Sequence, residues 1–359
     1  MKRKENEAKA RFIMIGGFLG AGKTTAVAAL AQQLAGQGVR VGLITNDQSI
    51  GLVDTKMLRS QGFSVEEIAG GCFCCRFNSL LDASAILTEK TRPDIFLAEP
   101  VGSCTDLVAT VSYPLRRIYG NHWTISPLSV LVDPKRAARI LGLEAGKPFS
   151  EKVVYIYKKQ LEEADIIVVN KCDSIAPTLR GRLVAALKES YPQATVFCCS
   201  AQKGTDLAPW FEKILAEEAD PAKAMMALDY DIYAEGEALL GWLNCTVAIR
   251  SETAFDANSW LLDLARSLRN SLRGTDTEIA HLKMTFDAGD PSGNLAAVSL
   301  VRGDGEPELR ESLVDELTGG DLIINLRAEA DPEHLRRIVS ETLQTIEESP
   351  SNYQVNLEH

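Results

Sequence analysis

The stretch that most restricts what this chain can fold into is Gly16-Gly17-Phe18-Leu19-Gly20-Ala21-Gly22-Lys23-Thr24-Thr25, which satisfies the spacing G-x-x-x-x-G-K-[ST] from Gly17 to Thr24. It follows an apolar run at 12–15 and opens an alanine-rich segment of helical period at 23–35. A strand, a glycine turn and a helix in that order aim successive backbone N–H groups at one point, with the positive end of the helix dipole behind them. Such a turn suits phosphate. Lys23 is then placed to bridge the β and γ phosphates and the Thr24 hydroxyl to ligate magnesium, while Gly17, Gly20, Ala21, Gly22 and Thr25 complete the candidate nucleotide loop. A glycine-rich turn that merely packs is the competing reading, disfavoured by the full pattern and its flanking elements.

The surrounding pattern says what kind of sheet this loop belongs to. Short β-branched runs at 12–15, 39–45, 95–98, 129–132, 166–169 and 195–198 are apolar without alternation, as expected of parallel strands covered on both faces. Helical periods lie between them at 23–35, 79–91, 134–141, 151–163, 178–190 and 206–217. This alternation predicts an α/β fold with a doubly wound, mostly parallel sheet over residues 11–222. A charged segment with a proline at 217–224 reads as a linker. Beyond it, strands at 241–250, 278–287, 294–302 and 322–327 and helices at 255–273 and 332–348 predict a smaller α+β domain, 226–350, close to a ferredoxin-like split arrangement. Asp331 is the candidate cap of the last helix, with Pro332 at its first position.

A chain of 359 residues has room for two or three domains, and 45% hydrophobic with 24% charged residues is an ordinary globular balance. With 38 basic against 49 acidic side chains its formal charge is -11, the wrong sign for a surface that neutralises nucleic-acid phosphates. Residues 1–11 are basic and polar, and the apolar run after them is too short for a signal peptide. Glycines and Lys23 interrupt 16–36, where a membrane span needs about 20 apolar residues. The expectations are no nucleic acid, no membrane, and a cytoplasmic chain whose thiols stay reduced.

The run at 166–169 ends in Asn170-Lys171-Cys172-Asp173, an N-K-x-D sequence. Guanine presents N1–H and its exocyclic amine side by side, so one carboxylate, Asp173, can accept both. Adenine offers an acceptor nitrogen and a C–H there, which would leave Asp173 without partners. The pattern therefore selects GTP over ATP. Ser200 and Ala201, after the next strand, resemble a loop that supports the base in GTPases. Two more acids, Asp47 and Glu99, stand at strand ends on the edge where open α/β sheets bind ligands. Each is a candidate to hold magnesium through water or to orient the attacking water; Asp54, seven residues past Asp47, is a further candidate. Both remain alternatives to solvated strand-end acids.

Of eight cysteines, three crowd into Gly70-Gly71-Cys72-Phe73-Cys74-Cys75. Three thiolates make a soft site suited to zinc or another late transition metal, with one tetrahedral position left over. Isolated Cys172, Cys198, Cys199 and Cys245 read instead as small buried hydrophobes, and Cys104 is either a fourth ligand or another of these.

With the phosphate loop, the G-C-x-C-C run, Glu99-Pro100-Val101-Gly102 and the N-K-x-D sequence in this order, residues 11–222 resemble the CobW/HypB/UreG class of P-loop GTPases, closest to its CobW-like branch. The resemblance implies a metallochaperone or assembly factor that couples GTP binding and hydrolysis to delivery of zinc, cobalt or nickel, or to cobalamin metabolism. Cys72, Cys74 and Cys75 would hold the transferred metal, and Glu99 and Gly102 would form a switch sensing the γ-phosphate. The expected partners are a client metalloprotein or a cobalamin-dependent enzyme, and a second copy of the chain in a nucleotide-dependent homodimer. A GTP-dependent regulator of a cobalamin enzyme and a nucleotide-dependent binding switch with negligible hydrolysis are the alternative functions. Two features depart from the CobW-like pattern: His122, His281, His334 and His359 are scattered, and the first switch reads Thr45-Asn46-Asp47, more like HypB and UreG.

Overall fold

A computed structural model of the chain describes residues 9–47, 58–59, 61–69, 73, 76–120, 122–220, 226–289, 295–347 and 353–358. Two compact units divide it, the first running to Ala234 and the second beginning at Glu235, so the division falls inside the helix Tyr230–Leu239.

The first unit is built on β1 (Ala10–Gly17), β2 (Val41–Asp47), β3 (Val65–Ala69), β4 (Ile95–Glu99), β5 (Trp123–Ile125), β6 (Ser129–Val132), β7 (Ile166–Val169) and β8 (Thr195–Cys198). Their order is β3-β2-β4-β1-β6-β7-β8, with β5 beside the start of β1, and each pairing is parallel. Parallel neighbours need crossover connections, and helices supply them. Every residue of β4, β6 and β7 is buried, the mark of strands covered on both faces. Ile13, Ile15, Leu97, Leu131 and Val168 share one apolar cluster with the helices Lys23–Gly36 and Ala208–Ala216. Phe12, which alternates with Ile13, meets Phe96 and Trp123 in a separate aromatic group. Because the chain leaves β1 toward β2 on one side and reaches β6 on the other, the carboxyl end of β1 is the switch point where such sheets bind ligands.

Several local readings shift. The edge strand β3, just ahead of the cysteine run, lies outside the apolar runs above, and β5, three residues long, is too short to show a period. A π-helical turn Val108–Ser112 running into the helix Tyr113–Tyr119 has no counterpart in the sequence pattern. The helix placed at 206–217 begins at Ala208, because Asp206 takes a left-handed φ of 57° that a helix cannot include.

The second unit is an antiparallel sheet of β9 (Leu240–Phe255), β10 (Glu278–Asp287), β11 (Leu295–Leu300), β12 (Glu308–Glu311), β13 (Leu317–Glu329) and β14 (Tyr353–Glu358), in the order β12-β11-β10-β13-β9-β14. Its run β10-β13-β9-β14 is the split arrangement, with β11 and β12 added as a hairpin at the β10 edge. Trp260, Leu264 and Leu268 of the helix Ala257–Gly274 and Leu335 and Val339 of the helix Pro332–Glu347 share one core with Val247, Met284 and Ile324. The first of these helices starts two residues later than its pattern suggests, since β9 continues through Phe255 and Asp256 caps it, accepting from Asn258 N at 2.9 Å. Asp331 accepts from Glu333 N at 2.8 Å ahead of Pro332. Among the described residues, no helix is long and apolar enough to cross a membrane.

Candidate functional site

β1 delivers the glycine loop to the switch point. Gly17 closes the strand at φ 130°, and a Cβ there would lie 2.3 Å from the carbonyl oxygen of Leu131 on β6, so only glycine lets the strand end against its neighbour. Gly22 caps the helix Lys23–Gly36 in the left-handed region, its carbonyl accepting the first helical bond from Ala26 N at 3.1 Å. Lys23 and Thr24, 8% and 5% exposed, sit beneath this loop. The Thr24 hydroxyl donates to Glu99 Oε1 at 2.9 Å, which joins the loop to the end of β4 and places two hard oxygens side by side.

Asp47 ends β2 two positions past Thr45, the register partner of Glu99; its side chain lies outside the described residues, as do Asp54, Cys72, Cys74 and Cys75. The neighbouring Asn46 is informative. It is 6% exposed, its Nδ2 donates to Ile68 O at 3.0 Å, and its Oδ1 accepts from the backbone N–H of Phe73 at 2.9 Å. Phe73, between Cys72 and Cys74, is fully buried. The end of β2 and the cysteine segment are thus tied by one side chain.

The N-K-x-D segment grips the same loop. Asn170 Nδ2 donates to Ala21 O at 2.9 Å, and Asn170 Oδ1 accepts from Ala201 N at 2.9 Å. Lys171, in a left-handed conformation at φ 56°, reaches Gly20 O at 2.6 Å and Asp133 Oδ2 at 3.2 Å. Asp173 follows on a short 3-10 turn, paired with Lys203 at 3.0 Å. Burial pushes its carboxyl upward, but hydrogen bonds from Ser200 and Lys203 outweigh this and hold it below the ordinary carboxylate value. Ser200 and Thr205 close their loop by reciprocal backbone bonds of 3.0 and 3.1 Å.

Three further residues come only from the structure. Asp133 caps the helix Pro134–Ile140 through Arg136 N at 3.0 Å and also holds Lys171; an aspartate before a proline at a strand end was the available signal. Arg136, 4% exposed, donates to Leu19 O inside the glycine loop, its guanidinium 5.3 and 5.1 Å from the rings of Phe18 and Phe149. Gln160 Nε2 donates to Gly102 O at 3.0 Å and Cys104 O at 2.8 Å, fixing the segment after Glu99. Cys104 is buried, and among the described residues no group of three or more His, Cys, Asp or Glu side chains could hold a metal ion. Replacing Arg136 with methionine keeps bulk against both rings and deletes one charge-assisted hydrogen bond to the loop. A loss of about tenfold in nucleotide affinity, corresponding to ~1.4 kcal/mol, is expected by fluorescence titration with unchanged circular dichroism.

The model of the CobW/HypB/UreG nucleotide-binding domain matches residues 11–198. A curated relative, the zinc chaperone CobW of a Sinorhizobium species, is 29% identical over 198 residues, 48% of this chain and 53% of its own; the chain thus spans about half the length of that relative. Among solved structures, HypB from Helicobacter pylori in complex with nickel is 17% identical at a TM-score of 0.43, covering 57% of this chain and 86% of its own. The Zn(II)-bound YjiA GTPase from E. coli is 17% identical at a TM-score of 0.40, covering 94% and 99%.

Proposed function

The chain belongs to the CobW/HypB/UreG family, and from that premise we propose that it is a GTP-hydrolysing metallochaperone: the glycine loop ending in Lys23, Thr24 and Thr25 binds GTP together with Asn170, Lys171 and Asp173, Cys72, Cys74 and Cys75 carry a divalent transition metal, and hydrolysis releases that metal to a client protein. The observation that carries the reading is the bond from Phe73 N–H to Asn46 Oδ1, which links the segment of the three cysteines to the strand end beside the proposed phosphate site. A change at β2 on nucleotide exchange is thereby transmitted to the metal loop.

Thr24 and Glu99, a buried pair of hard oxygens, fit magnesium, with Asp47 a further candidate on the next strand. Magnesium would neutralise charge on the β and γ phosphates. Lys23 and the loop amides bind and orient the phosphates and would stabilise the charge that develops in the transition state. Arg136 and Asn170 hold that loop from below, through Leu19 O and Ala21 O. Asp173 accepts from the guanine edge while Ser200 and Ala201 keep the base loop closed. Turnover by the chain alone is expected to be slow, because the sequence pattern supplies neither a glutamine nor an arginine finger, and metal or client binding is the expected stimulus.

Three thiolates favour zinc or cobalt as cargo over hard cations, and the relation to a zinc chaperone makes zinc the first metal to titrate. The full chain with Cys72, Cys74 and Cys75 all replaced by serine is expected to lose zinc affinity at least 100-fold against a competing chelator. Equal affinity in variant and parent would remove the metal site from this loop and favour the regulator of a cobalamin enzyme. Absence of phosphate release under every metal condition would favour a pure binding switch.

A further inference from the structure

Three cysteines beside the N-K-x-D turn take no part in the nucleotide chemistry proposed above. Sequence pattern alone treats Cys172, Cys198 and Cys199 as separate packing residues, but the fold gathers them. Val169 and Cys198 are register partners across β7 and β8, Cys199 N donates to Val169 O at 3.0 Å, and Cys172 N donates to Cys199 O at 3.0 Å. The turn after β7 therefore folds back over the end of β8, which sets Cys172 beside Cys198 and Cys199.

The two sulfurs sit in different surroundings. Cys172 is buried, its thiol donating to Val169 O at 3.0 Å. Cys198 is only half-buried and lies near Arg180 and Lys188 of the helix Pro177–Ser190. The hydrogen bond from Cys172, then the charges of Arg180 and Lys188, bring the Cys198 thiol down to about 7 against the opposing effects of burial and Asp206. The same hydrogen bond together with burial drives Cys172 upward, so it remains the protonated partner. Cys199, 1% exposed, is pushed up to about 12 by burial. The cluster thus sets a half-buried thiol of lowered pKa, Cys198, beside a buried one of raised pKa, Cys172. The trio forms no metal-holding group among the described residues.

We propose that Cys198 and Cys172 form a peroxide-sensitive pair whose disulfide switches off guanine-nucleotide binding; the second half of this statement rests on the nucleotide reading above. The Cys198 thiolate attacks one oxygen of a hydroperoxide, giving a sulfenic acid and releasing the other oxygen as alcohol or water. Cys172 then attacks that sulfur, its proton leaves with the displaced hydroxide as water, and the S–S bond forms. Two thiols are oxidised by two electrons and one peroxide is reduced. The bond needs sulfurs about 2.05 Å apart, so the 3-10 turn Cys172–Ser174 must be drawn toward β8. Asp173 is the middle residue of that turn and cannot keep its place against the guanine edge.

The full chain would be treated with one equivalent of hydrogen peroxide, blocked with N-ethylmaleimide and mapped by mass spectrometry, with guanine-nucleotide affinity measured in parallel. The expected result is a linked Cys172–Cys198 peptide and at least a tenfold loss of affinity, restored by dithiothreitol. Cys198→Ser is expected to bind nucleotide like the parent and to keep its affinity through peroxide. No linked peptide, a linked peptide with unchanged affinity, or equal peroxide sensitivity in Cys198→Ser would each overturn the proposal. The peptide map judges the thiol pair alone. A reduced parent that binds no guanine nucleotide would overturn the nucleotide reading and the switch together, whatever the map shows.

Discussion

Asp173→Asn is expected to exchange a preference for guanine nucleotides for one for xanthine nucleotides. The carboxylate can only accept, which suits the adjacent N1–H and amine of guanine. An asparagine in the same place accepts from N1–H through its oxygen and donates through its amide nitrogen, which matches the C2 carbonyl of xanthine. Turning the N1–H contact from charge-assisted to neutral and setting the amide N–H against the guanine amine, at a combined cost of about 3 kcal/mol, predicts a fall in GTP affinity on the order of 100-fold. The fold should tolerate the change, because the ion pair given up is with Lys203, whose side chain is 61% exposed. Since the free carboxyl is held below its ordinary value of 3.8, it is ionised across neutral pH. Its contribution is lost only as pH falls through that lowered value, so GTP affinity should show no titration of Asp173 between about pH 6 and 8. Competition of GTP, XTP and ATP against a fluorescent guanine nucleotide measures all of this; equal use of ATP by the parent would defeat the assignment.

Gly22→Val should abolish nucleotide binding by a different route. Gly22 sits at φ 90° and ψ 30°, a conformation that costs a β-branched residue about 1–3 kcal/mol. The added Cβ would also fall 2.4 Å from Asn170 Nδ2, the atom that bonds Ala21 O. Displacing Asn170 loosens both halves of the proposed site, since its Oδ1 holds Ala201 N as well. Loss of at least 100-fold in affinity and a melting temperature lower by roughly 2–10 °C are expected from calorimetry. Gly181→Ala, inside the helix Pro177–Ser190 with open space around its Cβ, is the matched control and should raise stability by about 0.5–1 kcal/mol with binding unchanged.

These two sites differ in how visible they were before the structure. The strands β6, β7 and β8 and the helix Glu151–Glu163 match their sequence patterns residue for residue, because continuous apolar runs and a clean helical period leave little freedom. Elements at sheet edges were harder. β12, only four residues long, carries Glu308, Arg310 and Glu311 and is half-exposed or exposed throughout, so it shows no apolar run. The π-helical turn at Val108–Ser112 sits in a β-branched segment that favours no helix. At the candidate site, motifs local in sequence were legible, whereas their supports were not. Arg136 matters because it meets Leu19 O across 117 positions, and Gln160 because it spans 58 to Gly102. Asn46 reads as a strand-end polar residue until its bond to Phe73 is seen.

That bond makes the account testable as a coupling between two ligands. If nucleotide exchange acts on the cysteine loop through Asn46, zinc and GTP must alter each other's affinity by the same factor, typically 5- to 150-fold, or about 1–3 kcal/mol. The decisive measurement is the zinc affinity of the full chain, by chelator competition, with magnesium and GTP, GDP, ATP or no nucleotide. The account predicts at least a fivefold difference between the GTP and nucleotide-free forms, no effect of ATP, and loss of the difference in Asn46→Ala. A single zinc affinity in all four conditions, in protein that still binds GTP, would contradict it.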